Sequence, residues 1–247
     1  MAAKTSKRKI RLGVNIDHVA TLKMVRGATT KYPDLLQAAN VVAEAGARQI
    51  TIHLREDRRH IQDKDVEILC KKRPVLINLE MAATEEMLKI ALKRKPDWVC
   101  FVPEKREELT TEGGLDVLKL EQKLKEMTTK LHKKNIKVSL FIAGDLKQVE
   151  ASQRVGADAI ELHTGHWVLW KGDKKRKEWS ALKAAAIRCH ELGMNVHAGH
   201  GLDFADCERI KKLPYLEELN IGHSIICHSV FMGLKKAVKE FKKVLKH

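Results

Sequence analysis

The chain has 247 residues and a formal net charge of +15 at pH 7. No apolar run approaches the ~18 residues that cross a bilayer, and the basic start MAAKTSKRKIRL lacks the apolar core of a signal peptide, so we expect a cytoplasmic protein without a membrane segment. The five cysteines are scattered without a CxxC pair, which argues against a disulfide scaffold and a zinc site.

Eight short stretches predict β-strands, because each alternates β-branched apolar residues with polar ones. In chain order they are LGVNIDH (12–18), ITIHLR (50–55), VLINLE (75–80), WVCFVPEK (98–105), KVSLFIAG (137–144), AIELHTG (159–165), NVHAGHG (195–201) and LNIGHS (219–224). Most of the runs end in acids, amides, histidines or cations rather than in ordinary turn residues. This placement indicates that the carboxyl ends of the strands carry the function.

Six segments between the strands predict helices, since each is apolar at i, i+3, i+4 and i+7. They are 34–47, 84–95, 114–135, 145–157, 179–193 and 229–247. Strands that alternate with helices over about 250 residues are typical of one (β/α)8 barrel. We therefore predict the α/β class, a (β/α)8 TIM barrel with additional helices, as a single domain over 1–247 in which 1–10 is a flexible basic N-terminus.

The alternation within the strands favours a barrel over a doubly wound open sheet. In ITIHLR, Thr51, His53 and Arg55 share one face, and Glu80 and Glu161 lie on the polar faces of their own strands. A barrel turns one strand face to the helices and the other to the lumen, whereas an open sheet is apolar on both faces. One buried polar residue is usually a satisfied core group, but a whole set of them predicts a site inside the barrel.

Two motifs predict acid–base and anion-binding groups. HLREDRRH (53–60) places His53 as a candidate general base or acid and Arg55 as a candidate anion clamp, although a surface salt-bridge loop would look similar. NIGHS puts Gly222 and His223 where the eighth strand meets a helix N-terminus, which is the usual phosphate site of such barrels.

Two further motifs are less specific. EKREELTTEGG (104–114) offers threonine hydroxyls and a flexible glycine pair, so it fits a lid or a phosphate contact, or simply a polar loop. His197 and His200 in HAGHG have the i, i+3 spacing of metal ligands, but no carboxylate or cysteine at the usual spacing completes the set. We therefore predict no metal site.

The positive charge leaves nucleic-acid binding open as another function. Most of it is lysine on helix faces, and aromatic residues make up only 4% of the chain, so there is no stacking platform for single-stranded nucleic acid. A solvated surface that attracts anionic substrates is favoured over nucleic-acid binding.

Lys105, at the end of the fourth strand, would suit a Schiff-base aldolase, but its neighbours Glu104 and Arg106 favour a solvated salt-bridge loop.

Long strings of the sequence resemble the pyridoxine 5'-phosphate synthase family, from about residue 11 to the C-terminal helix. They are GVNIDHVATL, ITIHLREDRRHIQDKDV, NLEMAATEEML, VPEKREELTTEGGLDV, VSLFI, GADAIELHTG, AGHGL and ELNIGHSII. The resemblance implies a barrel assembled as a homo-octamer and a transferase of vitamin B6 biosynthesis. It also implies two phosphorylated small-molecule substrates and neither metal nor organic cofactor.

The resemblance also implies roles for matching positions. His53 and Glu80 would accept protons, His200 would donate one, and Glu161 would stabilise charge. The residues expected to bind 3-amino-2-oxopropyl phosphate are Asn15, Arg26, Gly201, Gly222 and His223. The residues expected to bind 1-deoxy-D-xylulose 5-phosphate are Asp17, His18, Arg55, His60 and Thr110.

Three features depart from the family pattern. Asn is usual where this chain has His197, and the loop GATTKYPD after Arg26 is longer than usual. The segment HWVLWKGDKKRKEW (166–179) bears three tryptophans and has no assigned role.

Overall fold

Eight parallel strands close into one barrel in sequence order, with the last strand hydrogen-bonded to the first. The computed structural model describes residues 9–27, 29–105, 108 and 113–246. The strands are β1 (Arg11–Asn15), β2 (Gln49–His53), β3 (Leu76–Met81), β4 (Trp98–Phe101), β5 (Lys137–Ile142), β6 (Ala159–His163), β7 (Asn195–Gly199) and β8 (Leu216–Ile221). The predicted (β/α)8 barrel and all eight predicted strands are confirmed.

Helices surround the barrel. They are α1 (Asp17–Met24), α2 (Leu35–Glu44), α3 (Asp63–Lys72), α4 (Glu85–Arg94), α5 (Val117–His132), α6 (Leu146–Val155), α7 (Gly165–Leu169), α8 (Gly172–Glu191), α9 (Phe204–Ile210), α10 (His223–Met232) and α11 (Leu234–Val244). No helix in the described part of the chain is long and apolar enough to cross a bilayer. Residues 1–8, which hold most of the predicted flexible N-terminus, lie outside the described residues.

The prediction of one helix over 229–247 was wrong. α10 already begins at His223, and Gly233, with φ 81° and ψ 145°, separates it from α11. Glycine adopts this backbone conformation without the steric cost that a side chain would add. The apolar spacing did not predict α1, α3, α7 and α9, of which α7 and α9 have only five and seven residues. Helices of one or two turns give too few periodic positions to detect.

The strands turn their aliphatic residues outward, under the helices. Ile50, Ile52 and Leu54 are fully buried in this layer, and Ile77 and Leu79 repeat the pattern on β3. Burial of each such side chain contributes roughly 1.5–3 kcal/mol to folding. The polar residues between them therefore face the lumen, as the alternation predicted.

The lumen is filled by polar residues in layers. The lower layer, as defined here, consists of Arg11, Gln49, His197 and Glu218. Glu218 accepts hydrogen bonds from Gln49 Nε2 at 2.6 Å and from Arg11 Nε at 3.1 Å, and its Oε1 lies 3.6 Å from His197 Nδ1. The cation and the amide thus compensate the buried carboxylate inside the barrel.

A middle layer lies above it and consists of Thr51, Asn78, Glu161 and Asn220. Thr51 Oγ1 donates to Asn220 Oδ1 at 3.2 Å, and Asn220 Nδ2 donates to Glu161 Oε2 at 2.8 Å. Gly13 leaves room for this network, since a Cβ there would lie 2.0 Å from Asn220 Oδ1. The middle layer lies in the lumen directly beneath the side chains at the carboxyl ends of the strands.

Candidate active site

The mouth of the barrel is formed by the carboxyl ends of the strands and the loops that follow them. At the end of β1, Asn15 Nδ2 donates to Asp17 Oδ2 at 2.8 Å, and Asp17 Oδ1 accepts the backbone N–H of His53 at 2.9 Å. Burial raises the pKa of Asp17 to about 6, although the hydrogen bonds from His53 and Asn15 oppose the rise. Asp17 thus connects β1 to the catalytic candidate on β2.

His53, at the end of β2, contacts two carboxyl groups. Its Nε2 lies 2.9 Å from Glu104 Oε1, and its Nδ1 lies 3.9 Å from Glu80 Oε2. Burial raises the pKa of Glu80 well above its ordinary value, and the negative charges of Glu161 and Asp17 raise it further. Glu80 therefore keeps its proton to higher pH than a solvated glutamate does.

Arg55 and His60 present hydrogen-bond donors beside His53. Arg55 Nη2 lies 3.9 Å from Glu104 Oε2, and its buried Nε makes no hydrogen bond among the described residues. His60 Nδ1 accepts the N–H of Ile61 at 2.8 Å, so the neutral ring carries its proton on Nε2. Burial, and then the charges of His53 and Arg55, lower the pKa of His60 to about 4. This side of the mouth can therefore donate to an anion.

A second anion-binding geometry lies where β8 meets α10. Gly222 precedes the first turn of α10, whose N–H groups have no acceptor within the helix. A Cβ at Gly222 would lie 2.9 Å from the Cβ of Asn15, so a side chain at this position would force Asn15 to shift. The rings of His18 and His223 meet edge to face with centroids 5.1 Å apart. Burial and the neighbouring His223 lower the pKa of His18.

His200 follows β7 in a conformation that is uncommon for histidine, with φ 80°, and Gly201 follows with φ 78°. Thr164 holds this turn in place. Its Oγ1 lies 2.7 Å from the carbonyl oxygen of Gly199 and 2.6 Å from that of His200, and its backbone N–H donates to Gly199 at 2.9 Å. Burial lowers the pKa of His200, and the ring of His163 lies 5.0 Å from it.

The structure brings most of the predicted site residues together, but not all. Arg26 is exposed in the turn after α1, and Thr110 lies outside the described residues, so the contacts expected of them stay predictions. His197 belongs to the lower layer and packs edge to face on Trp98, with centroids 5.3 Å apart. His197 and His200 are therefore separated along the barrel axis.

Glu104 was read wrongly from the sequence as part of a solvated loop. Its side chain is only 4% exposed and contacts His53. Lys105 does lie outside, 53% exposed and 3.7 Å from Glu56 Oε2, which gives no support to a Schiff-base role. Thr164 was missed as well. Thr164 follows His163 at the end of β6, and Glu104 follows the apolar end of β4, but only the folded loops show which way the two side chains turn.

One group of possible metal ligands occurs in the described part of the chain. Ligand atoms of Asp17, His53 and Glu80 lie within 4.8 Å of one another. Asp17 already accepts two hydrogen bonds, and the raised pKa of Glu80 makes that group harder to deprotonate. Metal ligands have to be deprotonated, so this group is better suited to proton transfer than to holding a cation.

Comparison with known proteins identifies the family. The family model described as "Pyridoxal phosphate biosynthesis protein PdxJ" matches residues 12–247. The chain belongs to this family. A PdxJ relative from Bdellovibrio bacteriovorus, named pyridoxine 5'-phosphate synthase, is 57% identical over 240 residues, which cover 97% of this chain and 100% of the relative. A relative of the same name from Photobacterium profundum is 53% identical and covers 94% and 96%.

Solved structures of low identity share the fold alone. The crystal structure of KGPDC from Streptococcus mutans aligns with a TM-score of 0.65 at 16% identity and covers 97% of this chain and 98% of that chain. A phosphoribosylanthranilate isomerase from Thermotoga maritima aligns with a TM-score of 0.60 at 14% identity and covers 96% and 98%. The PdxJ chain is thus a barrel enzyme of vitamin B6 biosynthesis.

Proposed function

We propose that the mouth of the barrel is where this chain carries out the pyridoxine 5'-phosphate synthase reaction. That reaction condenses 1-deoxy-D-xylulose 5-phosphate with 3-amino-2-oxopropyl phosphate to pyridoxine 5'-phosphate, phosphate and water. One observation supports this location above all. Two anion-binding geometries, at Arg55 and at Gly222, flank the acid–base groups His53, Glu80 and His200.

The proposed roles rest on the family to which the chain belongs, and the pKa shifts describe how strong each group is once it reaches its reactive protonation state. Ring closure needs several proton transfers at neighbouring atoms, which a single base cannot reach. His53 and Glu80 act as proton acceptors, and Glu80 becomes a stronger base once it loses its proton, because its pKa is raised. His200 acts as the proton donor, and burial makes its imidazolium the stronger acid by lowering the pKa. Glu161 stabilises charge from the middle layer.

The two substrates are assigned to opposite sides of the mouth. The aminoketone phosphate binds to Asn15, Gly201, Gly222 and His223 near the start of α10, together with Arg26 from the turn after α1. The deoxyxylulose phosphate binds to Asp17 and His18 at the start of α1 and to Arg55 and His60 after β2, together with Thr110, which lies outside the described residues. The buried Nε of Arg55 supports this assignment, since it lies 3.6 Å from Asp57 Oδ1 without a hydrogen bond, and a buried donor without a hydrogen bond is costly unless a ligand accepts from it.

The test of the function is direct. The protein is incubated with both substrates, and pyridoxine 5'-phosphate is followed by mass and fluorescence. We expect product without added metal and undiminished turnover in EDTA. Loss of activity in EDTA that zinc or magnesium restores would instead make Asp17, His53 and Glu80 a metal site. Trapping of a substrate on Lys105 by borohydride would favour the aldolase alternative, and a salt-dependent shift of DNA would favour nucleic-acid binding.

We further propose that the chain works as a homo-oligomer, an octamer, in the cytoplasm. Phe231 and Val230 on α10 are 91% and 71% exposed, and Leu169 on α7 is 75% exposed. Large apolar side chains that are this exposed are typical of surfaces that another chain covers. Light scattering coupled to size-exclusion chromatography measures the mass, and Phe231→Glu should lower it. A monomeric wild-type protein would rule the octamer out.

A further inference from the structure

Glu104 lies in the loop after β4 and reaches across the end of β3 to the histidine on β2. Its Oε1 is 2.9 Å from His53 Nε2, while its Oε2 accepts the backbone N–H of Glu56 at 3.0 Å. Arg55 Nη2 lies 3.9 Å from the same Oε2. The carboxyl group of Glu104 is thus almost enclosed, and the groups that contact it are hydrogen-bond donors.

These contacts decide the charge of Glu104. Burial alone would raise its pKa, but the hydrogen bonds from His53 and from the Glu56 N–H, together with the charge of Arg55, lower the pKa below its ordinary value. Glu104 is therefore ionised in the neutral pH range. An ionised carboxylate can only accept hydrogen bonds.

The charge of Glu104 fixes the position of the proton on His53. The hydrogen bond to Glu104 requires that Nε2 of His53 carries a proton. In the neutral ring the lone pair must then be on Nδ1, which faces Glu80 Oε2 at 3.9 Å. The same logic holds where a buried carboxylate keeps a catalytic histidine in one tautomer and orientation.

We propose that Glu104 is a positioning residue that holds His53 in the tautomer with its proton on Nε2, so that Nδ1 is the atom that accepts the substrate proton. This inference rests on the proposed role of His53 as a base. It adds a fourth carboxyl group to the site, beside Asp17, Glu80 and Glu161, and it gives Glu104 no contact with substrate.

The loop is built to hold Glu104 in this place. Glu108 Oε2 accepts the backbone N–H of Glu104 at 2.9 Å and that of Lys105 at 3.1 Å. The backbone carbonyl of Glu108 in turn accepts the N–H of Asp116 at 2.8 Å, just before α5. The carboxylate is therefore preorganised relative to β2, which a positioning role requires.

The tautomer can be measured on the wild-type protein. Magic-angle-spinning NMR of protein labelled with 15N-histidine distinguishes the protonated ring nitrogen, and His53 is assigned by the signal that His53→Asn removes. We expect the Nε2–H tautomer. A resting His53 with its proton on Nδ1 would overturn the proposal without the need for any variant of Glu104.

Kinetics of Glu104→Gln then test the consequence. The side chain keeps its size but loses its charge, and its amide can donate to Nε2, so we expect a mixture of tautomers and a fall of kcat of about 10²-fold. The KM of each substrate should change less than threefold. Glu56→Gln is the matched control, because Glu56 lies beside the same cluster and its side chain pairs with Lys105, not with His53. Its kcat should stay within twofold of wild type.

The outcomes separate this inference from the proposed function. If His53→Asn keeps its turnover, the proposed role of His53 fails, whatever Glu104 does. If His53→Asn loses turnover but Glu104→Gln keeps both the kcat and the single tautomer, the inference on Glu104 fails alone. A Glu104→Gln variant with raised KM and unchanged kcat would mean that Glu104 only anchors the loop, which also overturns the inference.

Discussion

The lower layer and the mouth hold the same residue types and differ in how their charges are compensated. In the lower layer, the carboxylate of Glu218 meets a guanidinium and an amide within 3.1 Å. At the mouth, Glu80 has no cation beside it among the described residues except a histidine at 3.9 Å, and its pKa is raised well above the ordinary value. A buried polar residue is therefore informative only together with its partners.

The largest difference between the lower layer and the mouth is expected at their histidines. His53→Asn removes the proposed base at the mouth, so we expect the fold to persist and turnover to fall roughly 10²–10⁴-fold. His197→Asn, in the lower layer, is the matched control and should leave turnover within about threefold. Steady-state rates and circular dichroism measure both variants. Equal losses of turnover would show that the two regions do not differ in function.

The next largest effect concerns the two anion sites. Arg55→Ala removes a charge-assisted contact worth about 1.5–3 kcal/mol, so the deoxyxylulose phosphate should bind about 10–150-fold more weakly. Gly222→Val places a Cβ against Asn15 and should mainly weaken the aminoketone phosphate. Each substrate is titrated separately against each variant.

Arg59→Ala is the control for charge, because Arg59 is exposed and pairs with Asp57. It should change the affinity for neither substrate by more than about twofold, since exposed ion pairs contribute little. If Arg55→Ala and Gly222→Val weaken the same substrate, the assignment of one anion site to each substrate is wrong.

A smaller effect is expected at Thr164, which supports the turn of His200. Thr164→Val keeps the shape but loses the hydroxyl that bonds the carbonyl groups of Gly199 and His200. A left-handed histidine costs about 1–3 kcal/mol unless its surroundings hold it, so kcat should fall about tenfold. Thr164→Ser keeps the hydroxyl and should restore most of the rate. A serine variant as slow as the valine variant would contradict the hydrogen-bond argument.

The smallest effect is on stability and follows from Glu161. Burial, opposed by the hydrogen bond from Asn220 and increased by Glu218, raises its pKa from 4.5 to about 8. Between these values the folded state keeps a proton that the unfolded state releases, so stability falls as pH rises. From pH 7 to 9 the free energy of unfolding should fall by about 1 kcal/mol more in the wild type than in Glu161→Gln. Denaturant titrations at both pH values measure this, and equal slopes would place the raised pKa elsewhere.

The sequence predicted the strands and the inward positions of His53 and Glu80. Successive side chains of a strand point to opposite faces, so period-2 alternation of apolar and polar residues shows which residues share a face. The motifs themselves predicted His53 as an acid or base and Arg55 as an anion clamp, and the family resemblance supplied the other roles. Glu104 and Thr164 could not be placed in the same way, since loop side chains follow backbone turns that periodicity does not describe. The glycine at Gly233 could have indicated the boundary between α10 and α11, but the apolar spacing continued across it and predicted one helix.

Closure of the barrel has a consequence for synthesis of the protein. β1 pairs with β8, and Gly222 approaches Asn15, so the site at α10 joins segments about 200 residues apart in the chain. Contacts of such high sequence separation form late, after the intervening loop has been closed. During translation, the first strand has to wait for the last strand to leave the ribosome. The proposed site for the aminoketone phosphate therefore cannot form until nearly the whole barrel has been made.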